Sequence, residues 1–227
     1  VATGYGMTHG KARQERAFSM LNLSGYNIGT FAMPFVAGFL PPTGFLATCL
    51  FDAGNAIMCT GGTYALANSV TDASQHLSIK SFLRNVFSSI PFCIYLIMIV
   101  MAFLHLALPH PVIIFTKIAG DANAFLCMLM IGVNINLQMD SKSFRCLIKH
   151  ITVRYALSAV LAFLFYRYLP FSLEIRQAMA VIALAPSSSL ALIFTMKLKG
   201  DVIMAGNICS LSILLSTIAM TILLVYL

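Results

Sequence analysis

Two stretches decide the fold, Asn22-Leu23-Ser24-Gly25-Tyr26-Asn27-Ile28-Gly29-Thr30-Phe31-Ala32-Met33-Pro34 and Ala183-Leu184-Ala185-Pro186-Ser187-Ser188-Ser189. Each carries a proline inside an apolar segment, where the ring removes a backbone donor and breaks a helix. The prolines stand 152 residues apart. Each is followed 21 positions later by an asparagine, in Ala53-Gly54-Asn55 and Ala205-Gly206-Asn207. A helix broken in lipid leaves polar backbone groups that must face protein or a water-filled cavity. Matching breaks in two halves of a membrane chain point to a secondary transporter's binding site.

Composition sets the solvent. The 227 residues are 59% hydrophobic and 9% charged, with mean hydropathy +0.90, where soluble domains carry about 25% charge. Seven segments reach the roughly 20 residues that a bilayer requires: 17–40, 45–69, 88–108, 112–137, 146–169, 174–196 and 202–227. The net charge of +7 does not imply nucleic acid, because of where the cations lie. Lys11, Arg13, Arg16, Lys80, Arg84, Lys142, Arg145, Lys149, Arg154, Lys197 and Lys199 fall on one side, 11 of 14. Lys117, Arg167 and Arg176 fall on the other. The positive-inside rule then places Val1 in the cytoplasm and Leu227 outside. Cys49, Cys59, Cys93, Cys127, Cys146 and Cys209 form no CxxC or Cys/His cluster and read as packing residues. No metal set or cofactor motif is visible, and no GxxxxGK[ST] loop supports an ATP-driven pump. Trp is absent, so Tyr166 and Tyr168 beside Arg167 are the expected interfacial belt.

Three segments precede the Pro186 helix in the second half, and none precedes the Pro34 helix in the first. Roughly 65 or more residues carrying three helices are therefore expected upstream, giving ten helices in two inverted groups of five. Residues 1–71 would end the first repeat, 72–87 form a cytoplasmic linker and 88–227 form the second repeat.

The stretch from Asn22 to Pro34 resembles the Asn-x-x-x-x-Gly-x-Pro helix of the auxin efflux carrier family, with Gly29 five residues before the proline instead of two. Phe51-Asp52-Ala53-Gly54-Asn55-Ala56-Ile57 resembles the next helix of its bacterial members. Asp121 to Gly132 is similar to the family's seventh helix, and Ala183 to Ser189 to its ninth. The resemblance implies an all-α, polytopic, NhaA-like inverted-repeat transporter with two broken crossover helices, of which this chain covers about seven of ten helices. It also implies a permease of small organic anions, such as carboxylates or auxin-like acids, working by alternating access. The absence of a long central loop favours the short bacterial type and a bacterial inner membrane. The expected partners are the anion, a coupling proton or sodium ion, membrane lipid and a second copy of the chain in a homodimer. No cofactor, no metal, no nucleic acid and no enzymatic activity are expected.

Candidate site residues carry alternative readings. Pro34 and Pro186 either break the helices at a crossover or only kink them. At a break, half-helix N-termini present free N–H groups that hold a carboxylate. Asn27, seven residues before Pro34, matches the family's asparagine and is expected to touch substrate, with Ser24, Tyr26 and Thr30 nearby; packing glue is the alternative. Ser187, Ser188 and Ser189 either replace ligand hydration or satisfy freed carbonyls. Asp52 and Asp121 are the acids well inside apolar segments, where a charge is costly and as a rule functional. Both are candidates for ion coupling, although Lys117 offers Asp121 a partner. Asn55 and Asn207 are expected to support the broken helices. His105 and His110 read as interfacial. No arginine is assigned to either break. A seven-helix receptor or sensor is the alternative function, opposed by the charge orientation and by the lack of a Lys in 202–227 for a retinal Schiff base. An intramembrane aspartyl protease using Asp52 and Asp121 lacks its Gly-x-Gly-Asp context.

Overall fold

The computed structural model describes residues 1–71, 80, 83, 87, 90–133 and 141–227, without the side chains of 60, 91, 121, 123, 124, 127, 128, 130–133, 141 and 142. The expected linker, 72–87, lies almost wholly outside the described residues. Those described form an all-α fold of eleven helices. They are α1 (Ala2–Met7), α2 (Arg13–Leu23), α3 (Met33–Phe39), α4 (Pro42–Ile57), α5 (Thr63–Thr71) and α6 (Ile90–Phe103). There follow α7 (His110–Val133), α8 (Ser141–Tyr168), α9 (Leu173–Ala183), α10 (Leu190–Lys197) and α11 (Val202–Tyr226). Two five-residue π-helical turns, Ile28–Ala32 and Met58–Gly62, lead into α3 and join α4 to α5.

Two helices, Ser143–Tyr168 within α8 and Val202–Tyr226, are long and apolar enough to cross a membrane. A break and a π turn divide the first apolar segment, a break divides the sixth, and the other π turn lies in the second. In the first, α2 ends at Ser24, whose hydroxyl donates to Met20 O at 2.5 Å. Gly25 then takes φ +78°, a left-handed conformation open to residues without a Cβ. In the sixth, α9 ends at Ala183, and Pro186 supplies no amide to continue the ladder. The N-terminus of α11 is capped by Asp201, whose carboxylate accepts from Met204 N at 2.9 Å.

The core sits around the breaks. Ile28, Phe31, Ala32, Phe35 and Val36 pack against Ala178 to Ala185, Ala162 of α8, and Ile213 and Met220 of α11. Small residues let backbones approach: a Cβ on Gly44 of α4 would stand 3.1 Å from Ala178 Cβ and 3.2 Å from Glu174 O. A second cluster joins α2, α5 and α10 through Met20, Leu21, Ala67 and Phe194. A third joins α8 to α11 through Leu147, Ile151, Met204 and Ile208. The outward faces are apolar: Ile90, Phe103, Phe115, Ile118, Phe163 and Val225 are all exposed.

Candidate functional site

The two breaks meet. Tyr26 and Ser187 form an isolated antiparallel bridge, and Asn27 N donates to Pro186 O at 2.9 Å. Each break is tied to a neighbouring helix. Asn55 of α4 donates from Nδ2 to Tyr26 O at 2.9 Å, and its Oδ1 accepts from Tyr26 N at 3.2 Å. One amide thus replaces the strand that the extended residue lacks. At the second break, Ser187 N donates to Ser212 Oγ at 3.1 Å and Ser216 Oγ donates to Leu184 O at 2.7 Å. Tyr155 of α8 holds this pair, donating to Ser212 O at 2.5 Å and lying 2.7 Å from Ser216 Oγ.

The sequence register needs correction here. The bridge partners Tyr26 and Ser187 are 161 residues apart, not the 152 that separate the prolines. Pro186 stands at its break, whereas Pro34 lies nine residues beyond Gly25, in the first turn of α3. The chain stays helical from Ile28 to Phe39, so the missing amide of Pro34 falls where the π turn passes into α3 and does not end the helix. Counted from the bridge, Asn55 lies 29 residues after Tyr26, and Ser216 lies 29 after Ser187. Asn207 is therefore not the counterpart of Asn55. It is buried on α11, and its Nδ2 has no hydrogen-bond partner among the described residues.

A buried arginine occupies the crossing, which also corrects the assignment of Arg154 to the basic end and of no arginine to either break. Arg154 of α8 is 4% exposed. Its guanidinium donates to Leu23 O at 3.3 Å, Gly25 O at 2.9 Å and Ala185 O at 3.2 Å, and sits 5.0 Å from the Tyr26 ring centroid. These are the carbonyls at the C-terminal, negative ends of α2 and α9, so one cation satisfies both. No carboxylate lies within 4 Å of it among the described residues. Burying a lone ion costs several kcal/mol, offset here by charged hydrogen bonds worth about 1.5–3 kcal/mol each and by the Tyr26 ring.

The opposite, N-terminal ends are left open. Asn27 is buried at the start of the first π turn; Thr30 donates its hydroxyl to Asn27 Oδ1, and Asn27 Nδ2 lies 3.5 Å from Ser189 Oγ. Thr30 and Ser189 are exposed. This cluster pairs the positive end of the Ile28–Phe39 helix with that of α10 and offers an amide donor with unused capacity. Ser187 Oγ points elsewhere, donating to Asn22 O at 3.3 Å, and Ser188 Oγ accepts from Leu190 N at 3.3 Å.

Asp52 stands on the other side of Tyr26. Its Oδ2 accepts from Tyr95 Oη of α6 at 2.8 Å, and its Oδ1 accepts from Asn55 Nδ2 at 3.1 Å. A Cβ on Gly29 would stand 3.1 Å from Asp52 Oδ2, which explains a glycine at that position of the turn. Asn55 therefore links the carboxyl to the backbone of the break. The Asp121 backbone lies within α7, but its side chain is outside the described residues. Among the described residues no group of three His, Cys, Asp or Glu gathers as a metal set. Tyr95, Arg154, Ser212 and Ser216 were missed by sequence reasoning. Comparison with protein-family models, curated proteins and solved structures finds no match.

Proposed function

We propose that this chain belongs to a secondary transporter of small organic anions, working by alternating access, with an NhaA-like inverted-repeat fold and membership of the auxin efflux carrier family. One observation carries the reading. The negative ends of both interrupted helices are neutralised by Arg154, while their positive ends converge on Asn27 and Ser189, and the acid near the first of them, Asp52, is turned to Tyr95 and Asn55. Such a site prefers an anion, and an amide with two hydroxyls suits a carboxylate. The exposed apolar faces and the two long apolar helices support a membrane location. Asp52 and its Tyr95 and Asn55 partners are the candidate for ion coupling.

The test is uptake and counterflow into proteoliposomes, with mono- and dicarboxylates and indole acids as solutes. Asn27→Ala should weaken binding of the accepted solute by about 10- to 150-fold, the equivalent of one charge-assisted hydrogen bond of roughly 1.5–3 kcal/mol. Unchanged affinity in a folded variant would make Asn27 a packing residue. Failure of every organic anion would remove the carrier reading.

A further inference from the structure

Asp52 and the Asn27 cluster share one helix end. Asp52 is buried on α4, and its Oδ2 stands 3.1 Å from the position that a Cβ on Gly29 would take. Gly29 is the second residue of the helix Ile28–Phe39, and Asn27 precedes its first. That end is uncapped. The Asn27 side chain makes no bond to it, and the first bond of its ladder is Ala32 N to Asn27 O at 3.3 Å. The amides of Ile28, Gly29 and Thr30 lie ahead of that bond. Such an end carries about half a positive charge, so it favours one negative charge beside it and is too weak for two. Two residues of chain span at most about 7 Å, which puts a carboxylate on Asn27 Nδ2 and an ionised Asp52 on the order of 10 Å apart. Protein, not water, lies between them, and like charges there disfavour each other.

The described surroundings of Asp52 suit a proton better than a metal ion. Both carboxyl oxygens face donors, Tyr95 Oη and Asn55 Nδ2. Tyr95 Oη can donate to a carboxylate or accept from an acid, so it holds Asp52 in either state. Asn55 Oδ1 accepts from Tyr26 N and from Cys59 Sγ, and the Thr48 hydroxyl on the same helix is spent on Gly44 O at 2.9 Å. Sodium in inverted-repeat transporters is held by carbonyls that unwound helices expose. Here Leu23 O, Gly25 O and Ala185 O accept from Arg154, and Tyr26 O accepts from Asn55. Among the described residues, the titratable groups around Asp52 are Cys49 of its own helix, Tyr95 of α6 and Cys59 of the second π turn. The Ile28–Phe39 helix contributes none, and Arg154 of α8 lies against the Tyr26 ring, bonded to its three carbonyls.

We infer that Asp52 takes up a proton together with the anion bound at Asn27, because the two negative charges compete for the positive end of the Ile28–Phe39 helix. The inference rests on the carrier reading for its anion site. The linkage is reciprocal: the anion favours protonated Asp52, and the proton favours the anion by the same factor. A monocarboxylate and its proton then occupy the crossing as an electroneutral pair.

The protein in lipid nanodiscs is titrated calorimetrically with potassium benzoate, malonate and indole-3-acetate, without sodium, from about pH 5 to about pH 9. Each titration is run in two buffers of unlike ionisation enthalpy, and the difference in heat gives the protons taken up per anion bound. Tenfold coupling corresponds to an uptake of about half a proton midway between the titrations of the free and the loaded protein. The parent should take up at least that much at one pH in the series, and its affinity should fall at least tenfold from the acid to the alkaline limb. Asp52→Asn, which cannot titrate there, should take up none and bind with an affinity that pH leaves unchanged. Anion binding by the parent without proton uptake at any pH overturns the inference and leaves the carrier reading standing. So does an uptake equal to that of Asp52→Asn, or an affinity that appears only when sodium is added. Binding of none of the three anions, with or without sodium, overturns the inference together with the anion site on which it rests.

Discussion

At Gly25 the backbone is left-handed and a Cβ would collide with Cys59 Sγ. Gly25→Ala should therefore cost about 1–2 kcal/mol for the conformation alone, and more for the collision. The Gly25→Ala, Cys59→Ala double variant should recover the steric part while keeping the conformational part. Thermal unfolding of both reads this, and a single variant as stable as the parent would show that the break tolerates a side chain. Arg154 holds three carbonyls that no other group reaches in the hydrogen bonds described here. Arg154→Met should cost about 3 kcal/mol or more, at roughly 1–3 kcal/mol per buried acceptor left unpaired, and Arg154→Lys should recover part of it. Equal stability of the Met variant and the parent would show that the carbonyls find other donors. The sequence conceals this arginine for a geometric reason. Counted from the start of the apolar run it looks like a cation near the end of a span. The helix in fact begins at Ser141, through a polar first turn, so Arg154 is its fourteenth residue of 28. Hydropathy locates where lipid begins, not where a helix begins.

Among elements, the two breaks are supported by different chemistry at equivalent distances. Asn55 of α4 serves Tyr26 with one amide, and α11 serves the second break with the Ser212 and Ser216 hydroxyls. Asn55 was legible because a single amide in an apolar run has few local uses. The serines were not, since a hydroxyl in a helix ordinarily bonds back to its own preceding turn. The Ala-Gly-Asn triplet at Asn207 misled because proline position was used as the ruler. A proline marks a break when it sits in it, as Pro186 does, but it is also accommodated inside a helix beside a π turn, as at Pro34. Ser216→Ala should free Leu184 O and deprive Tyr155 Oη of one partner, at a cost of about 1–3 kcal/mol. Thr217→Val, which loses a hydroxyl that bonds back to Ile213 O of the same helix, is the control. Equal unfolding temperatures for the two variants would mean that Ser216 does not hold the break.

For the whole molecule, the order of apolar segments and their interruption were readable from periodicity and composition, because lipid or a dry core imposes the same demand on every helix. The partners of buried polar groups were not, since they come from residues far apart in the chain. Asp52 illustrates both. Its place inside an apolar segment marks it as unusual; that it accepts from Tyr95, 43 residues on, required the packing of α4 against α6. Neither partner of Asp52 carries a positive charge, and no cation lies within 4 Å of it among the described residues. A proton or a bound cation is then the remaining way to neutralise the carboxylate when it is dry. Asn55 ties that event to the backbone of the first break, so a change at Asp52 is felt at the crossing through one side chain. Asp52→Asn imitates the neutral form, with Tyr95 and Asn55 still able to bond the amide. In proteoliposomes it should exchange solute at close to the parent rate, since exchange needs the binding site and the conformational change alone. It should lose accumulation driven by a proton or sodium gradient, since that requires the ion to bind and leave. A variant that still concentrates solute in response to the gradient would move coupling away from Asp52, and Asp121 would be the next residue to replace.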